Sequence, residues 1–142
     1  MVMKKSKVIS VCIMIILAII VIYFFLPIPL VKKEIWTETV QIFSIDEQLN
    51  EKDITDRITA KAVKEILKKY KTQRIMYEFA PYQRHEGDLE INFQDVDGEI
   101  YHIYLYADHK LNVMYHSGSW GHPILNAEKF YQELRGKVSD TL

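Results

Sequence analysis

An uninterrupted apolar run lies near the N-terminus of the chain. Residues 8–31, VISVCIMIILAIIVIYFFLPIPLV, contain no charged side chain. A helix from Val8 to Leu26 would rise about 28 Å, close to the roughly 30 Å hydrocarbon core of a bilayer. Pro27 and Pro29 would end it, because proline lacks an N–H and restricts the residue before it. The run is too long for a signal peptide and no Ala-x-Ala-like site follows, so we predict an uncleaved membrane anchor.

Basic residues on either side of this run predict its orientation. Lys4, Lys5 and Lys7 precede it, and Lys32 and Lys33 follow it. The positive-inside rule therefore places the N-terminus in the cytoplasm, by one lysine. We expect a single-pass protein of the cell membrane with a cytoplasmic tail (1–7), a transmembrane anchor (8–31) and an extracytoplasmic domain (32–142).

Beyond the anchor, the apolar positions follow first a strand pattern and then a helix pattern. Residues 35–44 are rich in β-branched and aromatic side chains, which is typical of a strand. Apolar residues then recur every three to four positions from Ile58 to Tyr70, which indicates an amphipathic helix. Thr55 or Asp53 is the expected N-cap of that helix. The segment RIMYEFA, residues 74–80, has the composition of a second strand.

Three more strands are predicted from the alternation of apolar and polar residues after Leu89. We expect VDG (96–98) and ADH (107–109) to form three-residue hairpin loops. One face then becomes wholly apolar or aromatic, with the pairs Leu89–Leu105, Ile91–Ile103 and Phe93–Tyr101 across the first loop, and Leu105–Leu111, Ile103–Val113 and Tyr101–Tyr115 across the second.

A last helix is expected over Ala127–Arg135, capped by Asn126 and ended by Gly136. The predicted fold class is therefore α+β. An N-terminal transmembrane helix precedes a small β-α-β-β-β-β-α domain with a largely antiparallel sheet.

Charge and cysteine content narrow the classes of partner. The chain after the anchor carries 15 Lys or Arg against 19 Asp or Glu, a net charge of −4. Nucleic acid is not an expected partner, because phosphate binding needs a basic surface. The single cysteine, Cys12, lies in the anchor, so no disulfide is expected in the domain.

The outer face of the predicted meander carries the candidate binding residues. Tyrosine and histidine give amphipathic contact area at low entropic cost. Trp120, in the segment SGSWG after the last strand, is expected to close the core at that end and to join this surface. The candidate set is His102, Tyr104, Tyr106, Met114, His116 and Trp120.

These residues favour binding over catalysis. None of the five histidines has the spacing of a zinc motif, and SGSWG lacks the first glycine of a serine nucleophile elbow. We therefore expect no metal and no cofactor, and a binding or regulatory module that contacts a protein or envelope component. Two alternatives stay open: a metal-assisted hydrolase using His116, His122 and His102, and an accessory subunit of a membrane complex.

Several segments together suggest a known group of proteins. They are the lysine-flanked anchor, IFSIDE (42–47), ITDRITAKAVKEIL (54–67) and DVDGEIYHIYLYADHKLNVMY (95–115). With them the chain resembles small single-pass membrane proteins of Gram-positive bacteria whose exported domain has no known function. The likeness covers most of residues 34–136, and SGSWGHP (117–123) departs from it. The resemblance implies no catalytic residues.

Overall fold

The computed structural model describes residues 5–78, 83–108, 112–116 and 120–139. Within these ranges the chain forms three helices and nine strands. The helices are α1 (Lys5–Phe25), α2 (Ala60–Leu67) and α3 (Ala127–Ser139). The strands are β1 (Ile28–Pro29), β2 (Ile35–Ile45), β3 (Glu51–Asp53), β4 (Lys71–Thr72), β5 (Tyr77–Glu78), β6 (Leu89–Asp95), β7 (Ile100–Leu105), β8 (Asn112–His116) and β9 (Trp120–Leu125).

The predicted α+β class is confirmed. Eight strands follow one another in the antiparallel order β1-β4-β9-β8-β7-β6-β2-β3, and β5 also pairs with β9. Residues of α2 and α3 share one hydrophobic core with Ile42, Ile91 and Ile103, which are fully buried in the sheet. Phe130 of α3 stacks on Tyr70, with 4.5 Å between ring centroids. The two helices therefore cover one face of the sheet.

Helix α1 is long and apolar enough to cross a membrane, and every residue along it is exposed. It ends before Pro27, as predicted. Residues 28 and 29 pair with β4, however, and Leu30 is buried in the core. The structure thus places residues 28–30, which the apolar pattern assigned to the anchor, in the folded domain.

The hairpin between β6 and β7 has the predicted register and is organised by one buried carboxylate. Leu89, Ile91 and Phe93 pair with the expected partners, and Gly98 has the positive φ that the loop requires. Asp95 is only 1% exposed. Its Oδ1 accepts the N–H groups of Asp97 (2.9 Å) and Glu99 (3.1 Å), and its Oδ2 accepts the Tyr101 hydroxyl (3.2 Å).

The predicted register of the second hairpin is wrong by one residue. Ile103 pairs with Met114 and Tyr101 with His116, where Val113 and Tyr115 were expected. Because side chains alternate along a strand, this slip exchanges the two faces of β8. Met114 is therefore buried in the core, while Val113 and Tyr115 lie on the opposite face.

Strand β9 was missed, since its residues were predicted to be a corner, and it contains Pro123. The Pro123 carbonyl accepts the Thr72 hydroxyl at 2.7 Å, so its backbone polar groups face the edge formed by β4 and β5. A proline there has no N–H for the residue opposite, Gln73. The Gln73 carbonyl instead lies 3.0 Å from Nδ1 of His122. The edge strand is consequently interrupted, and residues 73–76 leave the sheet between β4 and β5.

The excursion of residues 73–76 holds the end of α1. The Gln73 side-chain amide donates to the Phe25 carbonyl at 2.8 Å, and Arg74 donates to the Tyr23 carbonyl at 3.1 Å. The last carbonyls of a helix lack partners within it, and a cation at that end is favourable. The Arg74 guanidinium also lies over the Tyr23 ring, 4.3 Å from its centroid. Helix α1 and the domain are therefore joined by specific contacts.

Both domain helices differ from the predicted ones at their ends. Thr59 caps α2 by accepting the Ala62 N–H at 3.2 Å, and neither Thr55 nor Asp53 does so. Residues 55–57 form a separate 3-10 turn because Thr55 bonds to Ile42. Helix α3 continues through Gly136 to Ser139, so Gly136 does not end it.

Replacing Gly136 by alanine should stabilise the domain. A Cβ at this position would meet no atom within 4 Å, and glycine inside a helix costs about 0.5–1 kcal/mol relative to alanine. We expect a gain of that size in the free energy of unfolding, measured by urea titration of the full chain in detergent. A loss would show that Gly136 ends the helix after all.

Replacing Asp95 by alanine should weaken the hairpin strongly. Three donors would lose a buried charged acceptor, and we expect a loss of about 3 kcal/mol in the free energy of unfolding. Asp97→Ala is the matched control, because Asp97 is exposed and paired only at the surface with Lys33. Its loss should stay below about 1 kcal/mol. Equal losses would contradict the central role of Asp95.

Candidate functional site

The structure divides the six predicted binding residues between two places. His102 and Tyr104 lie on the sheet face opposite the helices, and Tyr106 directly follows the same strand. Met114 and His116 lie on the core face instead, which corrects the prediction that they point outward. Trp120 is 51% exposed and does not close the core.

The face opposite the helices carries a polar and aromatic group, called here the outer face (Asn92, His102, Tyr104 and Tyr115). Nδ1 of His102 lies 2.6 Å from the Asn92 side-chain oxygen, and the Asn92 amide donates to Glu90 at 3.2 Å. Tyr104 packs edge-on against Tyr115, with 5.6 Å between ring centroids. Burial raises the pKa of both phenols. These groups are half-buried and held in place by one another.

Three rings on the core face lead from the interior to the surface. Phe93 stacks on Tyr101 at 4.9 Å, and Tyr101 stacks on His116 at 4.4 Å, on three adjacent strands. Phe93 is buried, whereas Tyr101 and His116 are half-buried. At the end of the stack, Nε2 of His116 donates to the Glu99 carboxylate at 3.1 Å. The hairpin and the stack thus fix the position of the His116 ring.

His116 borders a small cavity, called here the histidine pocket, of about 100 Å³. Residues from five separate parts of the chain meet around it. Apolar side chains form part of its wall, and the polar groups are two imidazoles, two hydroxyls and one ammonium. The lining residues are Ile28, Pro29, Leu30, Lys32, Thr72, Tyr101, Met114, His116 and His122.

The hydrogen bonds of the two imidazoles determine which nitrogens can serve a ligand. A carbonyl only accepts, so Nδ1 of His122 must carry the proton that it gives to Gln73. Nε2 of His122 is then an acceptor in the neutral ring and a donor in the imidazolium. His116 uses Nε2 for Glu99, which leaves Nδ1 in the corresponding role. The pocket can therefore offer either lone pairs or donors, depending on protonation.

The residues of the alternative hydrolase are only partly brought together. His116 and His122 border the same pocket, but His102 lies on the other face of the sheet. Over the ranges that the structure describes, no three His, Cys, Asp or Glu side chains are grouped so that they could hold a metal ion. The metal-assisted hydrolase stays a prediction, and His102 does not share a site with His116 and His122.

Sequence reasoning missed Lys32 and Thr72 as pocket residues. Thr72 is buried, and its hydroxyl donates to the Pro123 carbonyl. A proline inside an otherwise strand-like segment was the available signal, since it predicts an interrupted edge. Nothing in the local pattern around Lys32 indicates its neighbours across the sheet.

Because of the Tyr101 hydroxyl, the free energy of unfolding should decrease in strong alkali. Burial, followed by the carboxylates of Asp95 and Glu99, raises the pKa of Tyr101 to about 12 from its usual value near 10. The contribution of the neutral phenol is complete below pH 10 and is lost as the pH rises towards 12. The free energy of unfolding can be measured by urea titration at both ends of this pH range. Its decrease between the two should be smaller for Tyr101→Phe than for the unaltered chain. An equal loss in both would contradict it.

A scan against models of protein families gives no match for this chain. Searches among curated proteins and among solved structures also give none.

Proposed function

We propose that this protein is a single-pass, membrane-anchored binding module with its domain outside the cytoplasm and without catalytic activity. Its ligand places an anionic group in the histidine pocket, between Lys32, His116 and His122. The observation that carries the proposal is the meeting of these three side chains in one small cavity beside the end of α1.

The anchor is supported by the length, composition and exposure of α1. Its 21 residues carry no charge beyond Lys7, and none is buried against the domain. Exposed apolar surface of this extent is stable in hydrocarbon and not in water. The lysine bias around the helix favours a cytoplasmic N-terminus.

The volume of the histidine pocket and its hydrogen-bond donors favour the binding of one anionic group. A volume of about 100 Å³ is well below the several hundred Å³ that a complete drug-sized ligand needs. A phosphate or carboxylate fits better, with the rest of the ligand outside. Lys32 supplies a fixed positive charge, and the two imidazoles supply N–H donors once protonated. Glu99 lies beside His116 and balances part of that charge.

The outer face supports a second contact with a protein or envelope partner. The helices of the core do not cover it, and His102 and Tyr104 are half-buried on it, whereas Tyr106 next to it is buried. Tyrosine and histidine on a rigid sheet are typical of recognition surfaces. Trp120 lies beside His116 at the edge of the domain.

Anion binding can be tested on the full chain in detergent micelles with labelled histidine rings. We expect inorganic phosphate and acetate to shift the imidazole NMR signals of His116 and His122, because both rings border the pocket. His122→Gln should weaken binding by about tenfold, the equivalent of one charge-assisted hydrogen bond.

The matched control is His102→Gln, because His102 lies on the opposite face of the sheet. This variant should leave phosphate binding unchanged. If the signals of His102 shift and those of His116 and His122 do not, the anion site is on the outer face. If no histidine signal responds to either anion, the pocket does not have the proposed role.

A further inference from the structure

Exposed apolar side chains of the domain are concentrated at one end. After Pro27, six large apolar side chains are exposed in the described part of the chain: Trp36, Leu49, Met76, Val96, Ile100 and Trp120. Isolated examples are normal on a soluble protein, whereas a group of them marks an interaction surface.

Two of them lie directly against the end of α1. Met76 and Trp120 border a groove of about 420 Å³ together with Phe24, Ile75 and His116. Met76 belongs to the excursion whose Gln73 and Arg74 hold the last turn of α1. The exposed surface of these two residues is thus continuous with that of the anchor helix.

Three more lie at the same end of the sheet. Trp36 of β2 and Ile100 of β7 both pair with Gln94 of β6, which lies between them. The side chains of Trp36, Gln94 and Ile100 are therefore on one face of the sheet. Val96 is in the adjoining hairpin, where its N–H donates to the Glu34 carbonyl at 3.0 Å. Glu99 of this hairpin contacts His116, which borders the groove beside α1. Only Leu49, in the turn after the far end of β2, lies elsewhere among the six.

The connection between α1 and β1 is too short for the domain to move far from a bilayer that α1 crosses. Two residues, Leu26 and Pro27, separate the last residue of α1 from the first residue of β1. Even fully extended, a connection of this length spans only about 10 Å. The side-chain bonds of Gln73 and Arg74 also hold the last turn of α1 against the domain.

We infer that this end of the domain, formed by Trp36, Met76, Val96, Ile100 and Trp120, is inserted into the interfacial zone of the bilayer. The partner of this surface is the lipid headgroup and upper acyl region, where tryptophan is favoured. The inference rests on the proposed function in one respect, because it requires α1 to span the membrane. Insertion fixes the orientation of the domain and places the histidine pocket at the level of the lipid headgroups.

The two tryptophans of the chain allow a direct test, since both lie in this surface. The full chain is reconstituted in phosphatidylcholine vesicles with a nitroxide quencher near the headgroup or deep in the acyl chain. Trp120→Phe leaves Trp36 as the reporter, and Trp36→Phe leaves Trp120. We expect the shallow quencher to remove about half or more of each emission, because interfacial side chains lie within about 5–10 Å of the acyl boundary.

Two reporters in a chain with both tryptophans replaced by phenylalanine complete the experiment. Leu49→Trp, equally exposed at the far end, should be insensitive to either quencher. Ile16→Trp, in the middle of α1, should respond most to the deep quencher. If Ile16→Trp responds while Trp36 and Trp120 behave like Leu49→Trp, the inference is overturned and the anchor stands. If Ile16→Trp does not respond, both the anchor and the inference are wrong.

Discussion

The missing N–H of Pro123 is the constraint on which the arrangement of the domain depends. Its carbonyl faces the edge strand, so a continuous ladder would have required a donor that proline lacks. Side chains on either side compensate, since Thr72 donates to the Pro123 carbonyl and His122 to the Gln73 carbonyl. The edge strand then opens for residues 73–76, which turn outward and hold the end of α1. One absent hydrogen bond thus links the sheet, helix α1 and the pocket.

The same break explains why a polar cavity lies beside a well-packed core. His122 is held by the carbonyl that lost its ladder partner, and His116 is held by the aromatic stack and Glu99. His122 is oriented by its hydrogen bond to a backbone carbonyl, and His116 by its hydrogen bond to Glu99 of the hairpin. The second ring nitrogen of each histidine is left for a ligand in the pocket. Hydrogen bonds that fix ring orientation in this way preorganise a site before any ligand arrives.

The sequence was sufficient where local chemistry determines the answer. The apolar run and its prolines predicted α1, and Gly98 with the alternation from Leu89 to Phe93 predicted the first hairpin. The second hairpin failed because both sets of alternating residues in β8 contain apolar side chains. Val113 and Tyr115 fit a core as well as Met114 does, so the pattern could not choose the register. The candidate site was therefore split, and the pocket is lined by segments distant in sequence, such as those that contain Lys32 and His122.

If α1 spans a membrane as proposed, the short, bonded connection between α1 and the domain also limits how far the domain extends from the bilayer. Strand β2 is its longest element, with 11 residues and a length of about 35 Å. With one end of the sheet fixed beside α1, no flexible tether extends this reach. A molecule that stays farther from the bilayer surface than the length of the sheet cannot touch the domain. For a domain held in this way beside a membrane, a partner must come to the bilayer, either as a resident or by diffusing to its surface.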